Sequence, residues 1–208
     1  MTGVQTCALP ISRYAQWRAA PQAVVPALAD VDAERGRELV HGFLAARPEG
    51  GWLPQADVVA LLGLYGMPLD PAATARSDDD IVVIGVKDDQ MFGPLVVLGL
   101  AGIDPPAGQA ARLAPLTSAD ADTLIRSIRS GPLPPSRPAA PVSGSASREA
   151  TLRDALLRVS RLTEDLPEVS ELDLNPVIAR RDGDVVVVDA RIRLSPPLPQ
   201  DPFLRKLR

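Results

Sequence analysis

The sequence predicts a mixed α/β fold of the α+β kind, built from antiparallel hairpins packed under amphipathic helices. Three observations carry that expectation. Stretches of helical period alternate with apolar runs of strand length, at 81–87, 95–98 and 171–191. These runs come in adjacent pairs separated by turn residues, Asp88 to Pro94 in one case and Arg181-Asp182-Gly183 in the other, so they close locally as hairpins. The last pair sorts its side chains by period two, apolar on one face and oxygen-bearing on the other.

Taken in order, Met1 to Ile11 carry no charge and no helical period and read like a translated sequencing-adapter oligonucleotide, so 1–11 are set apart from the fold as an artefact. Residues 12–50 read as a helical lead-in. Within them Leu39, Val40, Phe43 and Leu44 mark an amphipathic helix from Asp32 to Ala46, with an acidic start and a stop before Arg47-Pro48. His41, the single histidine, lies in that helix; no serine, cysteine or metal-ligand spacing accompanies it, and it reads as a polar-face residue. A second helix runs from Pro54 to Tyr65, with Val58, Val59, Leu61 and Leu62 apolar and Gly66 as its C-terminal cap.

Met67-Pro68-Leu69 then leads into an extended segment, and Asp78-Asp79-Asp80 runs abruptly into Ile81 with no helix between them. After the first hairpin come Gly99 and Gly102, whose spacing either brings backbone amides to a phosphate or simply makes a tight strand exit. Thr117-Ser118-Ala119-Asp120 has the capping-box pattern and opens a helix through Arg129. A proline- and serine-rich linker fills 131–147, and Ser147 is placed to cap a helix carrying Leu152, Leu156, Val159 and Leu162 on one face and ending at Pro167. Residues 196–208 read as an exposed tail, leaving 51–195 as the main domain.

The last hairpin holds the chemistry. A three-residue loop at Arg181-Asp182-Gly183 sets Ala179 opposite Val185 and therefore Asn175 opposite Asp189, with Cβ atoms roughly 5.5 Å apart. Alternation then places Leu172, Leu174, Pro176 and Ile178 with Val186, Val188, Ala190 and Ile192 on the core face, and Glu171, Asp173, Asn175, Asp189 and Arg191 on the other. A carboxylate beside an amide carbonyl on rigid strands suits Mg²⁺, which takes one or two protein oxygens and fills its octahedron with water and phosphate oxygens. The same pattern also describes an edge hairpin with solvated acids, and the residues alone leave both readings open.

Composition excludes other classes. Of 208 residues 46% are apolar, enough for a real core, and the net charge is −4. Lys87 and Lys206 are the only lysines and no basic stripe occurs, which argues against a nucleic acid or an anionic membrane as partner. Cys7 alone cannot build a disulfide framework or a thiolate metal site, and no apolar run is long enough to span a bilayer; the cytoplasm is the default compartment.

Four stretches together carry a family resemblance: Trp52-Leu53-Pro54 through Leu64-Tyr65-Gly66-Met67-Pro68; Ile84-Gly85-Val86 with Phe92-Gly93-Pro94-Leu95-Val96; Arg112-Leu113-Ala114-Pro115-Leu116; and Glu171-Leu172-Asp173-Leu174-Asn175-Pro176. From about Tyr14 onward the chain resembles the C-terminal ATP-grasp portion of nucleoside-diphosphate-forming acyl-CoA synthetases (acetate-CoA ligases, ADP-forming), relatives of the succinyl-CoA synthetase β-subunit, in some bacteria fused to a GNAT acetyltransferase. The resemblance implies a reversible ligase in which ATP/ADP and Mg²⁺ bind the ATP-grasp domain and a phosphohistidine on an upstream domain shuttles the phosphoryl group. It assigns the metal to Asn175 and Asp189, the pair the hairpin register makes neighbours, and the phosphate to Gly99 and Gly102. It makes 12–50 either a lead-in or the end of a preceding CoA-ligase domain, and it names upstream CoA-binding and ligase domains, in the same polypeptide or a separate subunit, as partners.

The departures are as informative. The family places a lysine-bearing segment, a glycine loop and an adenine-contacting strand before the Ile-Gly-Val strand, whereas here Asp80 meets Ile81 directly. The fold is therefore expected to be ATP-grasp-like but incomplete, and the chain a fragment inactive alone. The alternative is a non-catalytic regulatory or structural module associated with an acetyltransferase.

Overall fold

A computed structural model describes residues 24–76, 79–89, 91–101, 109–130, 146–180, 182 and 184–196. The expectations for 1–11, for Gly102, for most of the 131–147 linker and for nearly all of the 196–208 tail lie outside those residues.

Four helices and seven strands are described: α1 (Ala33–Ala46), β1 (Gly51–Trp52), α2 (Gln55–Leu64), β2 (Asp80–Asp89), β3 (Gly93–Leu100), β4 (Ala110–Leu113), α3 (Ser118–Ser130), α4 (Ala146–Asp165), β5 (Val169–Ala179), β6 (Val185–Val187) and β7 (Ala190–Leu194). Local chemistry explains the boundaries. The Asp32 carboxylate accepts the Arg35 N–H and caps α1. At α3, Thr117 Oγ1 accepts the Asp120 N–H while the Asp120 carboxylate accepts the Thr117 N–H, the reciprocal box that the sequence predicts. Helix α4 begins at Ala146, so Ser147 lies inside its first turn instead of capping it; its carbonyl accepts the Thr151 hydroxyl.

The strands form one sheet in the order β1-β7-β5-β2-β3-β4, with β6 also on β5, and every strand pair is antiparallel. Helices cover one face only. Val82, Ile84 and Val86 of β2, Val96 and Leu98 of β3 and Leu172 and Leu174 of β5 pack there against Leu152, Leu156, Val159 and Leu162 of α4 and Leu124, Ile125 and Ile128 of α3, all buried. Outward-pointing residues of the same strands, such as Val83, Lys87, Val97 and Asp173, remain half-buried or exposed, so the second face is open among the described residues.

The first hairpin is longer than the sequence predicts. Strand β3 continues through Leu100, so Gly99 lies inside it opposite Val83, where ladder pairing outlasts the apolar run. The second hairpin keeps its predicted register, Ala179 against Val185, but its face assignment needs a correction beyond Asn175. Ile84 pairs with Leu174 and Val82 with Val177, so Asn175 and Pro176 together oppose the single residue Val83. This bulge flips the alternation. Val177 and Val187 enter the core instead of Pro176, Val186 and Val188, which are half-exposed, and Ile178 is buried apart from the main core. The bulge also explains a proline in an interior strand, a position that needs an N–H everywhere except at such an irregularity.

Polar contacts bind the N-terminal helices to this core. The Arg158 guanidinium donates to Asp154 (2.6 Å), to Asp30 (2.8 Å) and to the Tyr65 carbonyl at the end of α2 (3.0 Å). Asp165 accepts from Arg161 (2.9 Å), Arg37 (3.3 Å) and the Tyr65 hydroxyl (3.4 Å). Burial first, and then the Asp165 charge, push the Tyr65 phenol above its ordinary range. Arg148, 2% exposed, donates to Asp80 at 3.1 Å and anchors α4 over the start of β2.

Two stability outcomes follow from these contacts. Val187→Asp is expected to cost at least about 4 kcal/mol, because it buries a charge in the core, whereas Val188→Asp is expected to cost about 1 kcal/mol or less; equal losses in denaturant unfolding would overturn the flipped alternation. Gly66 has φ +69° and an added Cβ would lie 2.2 Å from Arg158 Nη1. Gly66→Ala should therefore lose about 1–3 kcal/mol in the same measurement, and an unchanged midpoint would count against the cap.

Candidate functional site

The open face of the sheet is read best in rows across the strands. One row contains Gly99, Val83, then the bulge Asn175-Pro176, and finally Asp189. The next holds Val97, Gly85, Asp173 and Arg191, and the one beyond it Leu95, Lys87, Glu171, Arg193 and Trp52. With strands about 4.8 Å apart, Gly99 stands roughly 10 Å from Asn175.

Asn175 and Asp189 meet where both of their strands are interrupted. Strand β5 bulges at Asn175-Pro176, while Val188 and Asp189 separate β6 from β7. The pairing nonetheless persists through the break, with the Asn175 N–H donating to the Asp189 carbonyl and the Val188 N–H to the Pro176 carbonyl, both at 3.0 Å. The two side chains are exposed, and the Ala190 N–H donates to Asp189 Oδ1 at 2.9 Å, which fixes the carboxylate's orientation. An amide carbonyl and an oriented carboxylate on adjacent backbone positions fit the donor set of Mg²⁺. Among the described residues no three His, Cys, Asp or Glu side chains group to hold a metal, so an ion on this pair would keep most of its shell for water and ligand oxygens.

Around the pair, charge is mixed. Asp173 lies opposite Gly85 and Arg191. Its carboxyl sits above the usual carboxylate range, first because it is half-buried and then because the Glu171 and Asp189 charges oppose its ionisation, against the pull of Arg191 and Lys87. Gly99 is buried in β3 on the same row as the pair, and Gly102 lies outside the described residues. Met91 and Phe92 form the β2–β3 turn before Gly93 opens β3, with Asp89 Oδ1 accepting the Met91 and Phe92 N–H groups, and Arg112-Leu113 belong to the edge strand β4. His41 is exposed on α1, 3.7 Å from Glu168, the residue before β5.

Sequence reading did not place Gly85 and Lys87 on the face of the pair, because that depends on how β2 pairs with β5. Nor did it find the bulge, although Pro176 in an interior strand is a signal for one.

The ATP-grasp domain family matches residues 80–194, the span from the first residue of β2 to the last of β7. The β subunit of acetate–CoA ligase [ADP-forming] I of Pyrococcus furiosus is 38% identical over 116 residues, covering 54% of this chain and 47% of that protein. The β subunit of ligase II of the same organism is 42% identical over 122 residues, covering 55% and 48%. The chain thus spans about half the length of the curated relatives it matches. Among solved structures, the apo form of the dinucleotide-forming acetyl-coenzyme A synthetase 1 of Ca. Korarchaeum cryptofilum aligns with a TM-score of 0.58 at 22% identity, covering 76% of this chain and 99% of that one. A Pyrococcus horikoshii protein aligns at 0.61 with 20% identity, covering 79% and 100%, and both likenesses are of fold. With more than half of its residues inside the matched span, the chain belongs to the ATP-grasp domain family.

Proposed function

We propose that this chain supplies the metal-holding half of a nucleotide site for ADP-forming acyl-CoA, specifically acetate-CoA, ligation, and that it is inactive without the other half. The observation that carries the reading is the meeting of Asn175 and Asp189 at a double strand interruption on an open sheet face. Their oxygens would hold Mg²⁺, which when bound neutralises the phosphate charge of ATP or ADP. Gly99 shares their row and offers backbone without a side chain on the side away from Asp189, and the sequence adds Gly102 three residues on as the second candidate for the phosphate.

The loss of the other half rests on the start of β2. The chain runs beside β6 at Leu69, where the Asp70 N–H donates to the Val187 carbonyl, and after a short connection enters β2 at Asp80. That connection is closed locally: Asp79 accepts the Arg76 N–H at 2.8 Å, and Arg76 pairs with Asp182 at 3.5 Å. The sequence carries no lysine between Asp70 and Asp80, and Lys87 is the one lysine among the described residues. One charge-assisted contact is worth about 1.5–3 kcal/mol, so its absence moves affinity by one to two orders of magnitude. In the ligase the remaining half, and the CoA-binding and histidine-bearing domains, would come from upstream sequence or a separate subunit; the similarity to β subunits supports such a partner. We assign 51–195 to this partial domain and leave 12–50 as its lead-in, with α1 packed on the same core.

The closed Asp70–Asp80 connection also favours a second reading, a regulatory or structural module beside an acetyltransferase that packs on a partner without turnover. The two part on nucleotide. Titration of the isotope-labelled chain with Mg²⁺–ADP should shift the Asn175 and Asp189 amide resonances with millimolar half-saturation, and Asn175→Ala or Asp189→Ala should remove that response. Micromolar binding would sink the claim of an incomplete site; a flat titration at these two residues would sink the metal assignment and leave the structural module.

A further inference from the structure

Gly85 occupies the middle of β2, itself an interior strand, with Val97 on one side and Asp173 on the other. Glycine there costs about 0.5–1 kcal/mol against alanine and more against a β-branched residue, so it needs a reason. The ordinary reasons fail one by one. Its φ is not in the left-handed region, so any residue fits the backbone. A Cβ built on it meets only the Leu172 carbonyl oxygen at 3.6 Å, an ordinary contact, so packing does not forbid a side chain. The register shift lies between Val82 and Ile84, while the pairs Ile84–Leu174 and Gly85–Asp173 are regular, so it is not a bulge residue. What remains is close approach of another molecule to bare strand.

The position says which molecule. Gly85 lies one row from the Asn175–Asp189 pair, roughly 7 Å along the strands, on the open face. Val83 and Lys87 on its own strand and Val97 and Asp173 on its neighbours flank it, and a Cβ built there meets no side chain within 4 Å. Phosphate oxygens bound to an ion on the pair fall within that reach. We infer that Gly85 is kept bare so that the phosphate end of a Mg²⁺-nucleotide lies against the β2 backbone; this rests on the nucleotide reading of Asn175 and Asp189. The contact is steric clearance, since the amide and carbonyl of an interior strand are committed to the ladders on both sides.

This gives Gly85 variants opposite effects on folding and binding. In the full chain, Gly85→Ala and Gly85→Val should both melt at a higher temperature than the parent, because each gains strand propensity and loses unfolded-state freedom. Under Mg²⁺–ADP titration, Gly85→Val should raise the half-saturation concentration at least tenfold, with Gly85→Ala between it and the parent. A lower melting temperature for Gly85→Val would make the glycine structural and overturn the inference. So would a Gly85→Val response equal to that of a parent that binds. If the parent itself shows no response at Asn175 and Asp189, the nucleotide reading fails first and the inference falls with it, a result distinct from the other two.

Discussion

The structure turns on the extra residue in β5. Opposing Asn175 and Pro176 to the single Val83 shifts the strand by one position against β2 and lets a proline stand where the ladder would otherwise demand a donor. Everything on the pair's side follows from it. Leu172 and Leu174 face the helices before the bulge and Val177 does so after it, so the core stays continuous while Asn175 is left on the open face. The matching break between β6 and β7 releases Val188 and Asp189 from regular ladder geometry, and the Ala190 N–H then pins the Asp189 carboxylate. A strictly regular hairpin would bring the same two residues together, but with Pro176 and Val188 in the core and the ladder missing a donor.

The helix-covered face holds this arrangement still. Burial of Ile84, Leu174, Val177 and Val187 against α4 fixes both strands around the bulge from beneath, and each large apolar side chain so buried contributes about 1.5–3 kcal/mol. Arg148 and Asp80 fasten α4 to the first residue of β2. An ion pair with one partner 2% exposed adds little net stability, but removing either partner strands a buried charge, so it specifies where β2 begins more than how tightly it is held. Arg158 and Asp165 of α4 tie down α1 and α2 in the same way, through Asp30 before α1, Arg37 within it and Tyr65 just after α2.

Much of this was legible from the sequence, and the limits are physical. Helix positions are set by local chemistry, such as the Thr117–Asp120 box and Gly66, which read directly, and Asp32, which read as an acidic first residue and is the cap. The Asn175–Asp189 pairing read just as well, because loop length fixes hairpin register. The inversion beyond Asn175 did not, since it depends on Val83 across a non-local strand pair whose register no local pattern encodes. The strands β1 and β4 were missed for a related reason: at two and four residues they are edge strands defined by their partners and not by their own period. Gly99 lay one residue beyond the predicted strand, and only pairing with Val83 draws it in.

The electrostatics of the open face decide what it can hold by itself. Glu171, Asp173 and Asp189 lie among Lys87, Arg191 and Arg193, so the face presents no surplus of positive charge to a polyphosphate. Arg191 and Arg193 lie across from Asp173 and Glu171, close enough for much of their field to be spent on those carboxylates, and Lys87 is likewise paired in register with Glu171. Asp173 sits above the ordinary carboxylate range for the same reason, because burial and acidic neighbours outweigh the cations near it. A bare nucleotide therefore meets as much repulsion as attraction here, and a divalent ion on Asn175 and Asp189 is what would change the sign of the local field. Under the proposed function a divalent ion on Asn175 and Asp189 is accordingly the first requirement of the site and a further cation the second: the ion would make phosphate binding favourable, and an additional cation from another segment or subunit would make it tight.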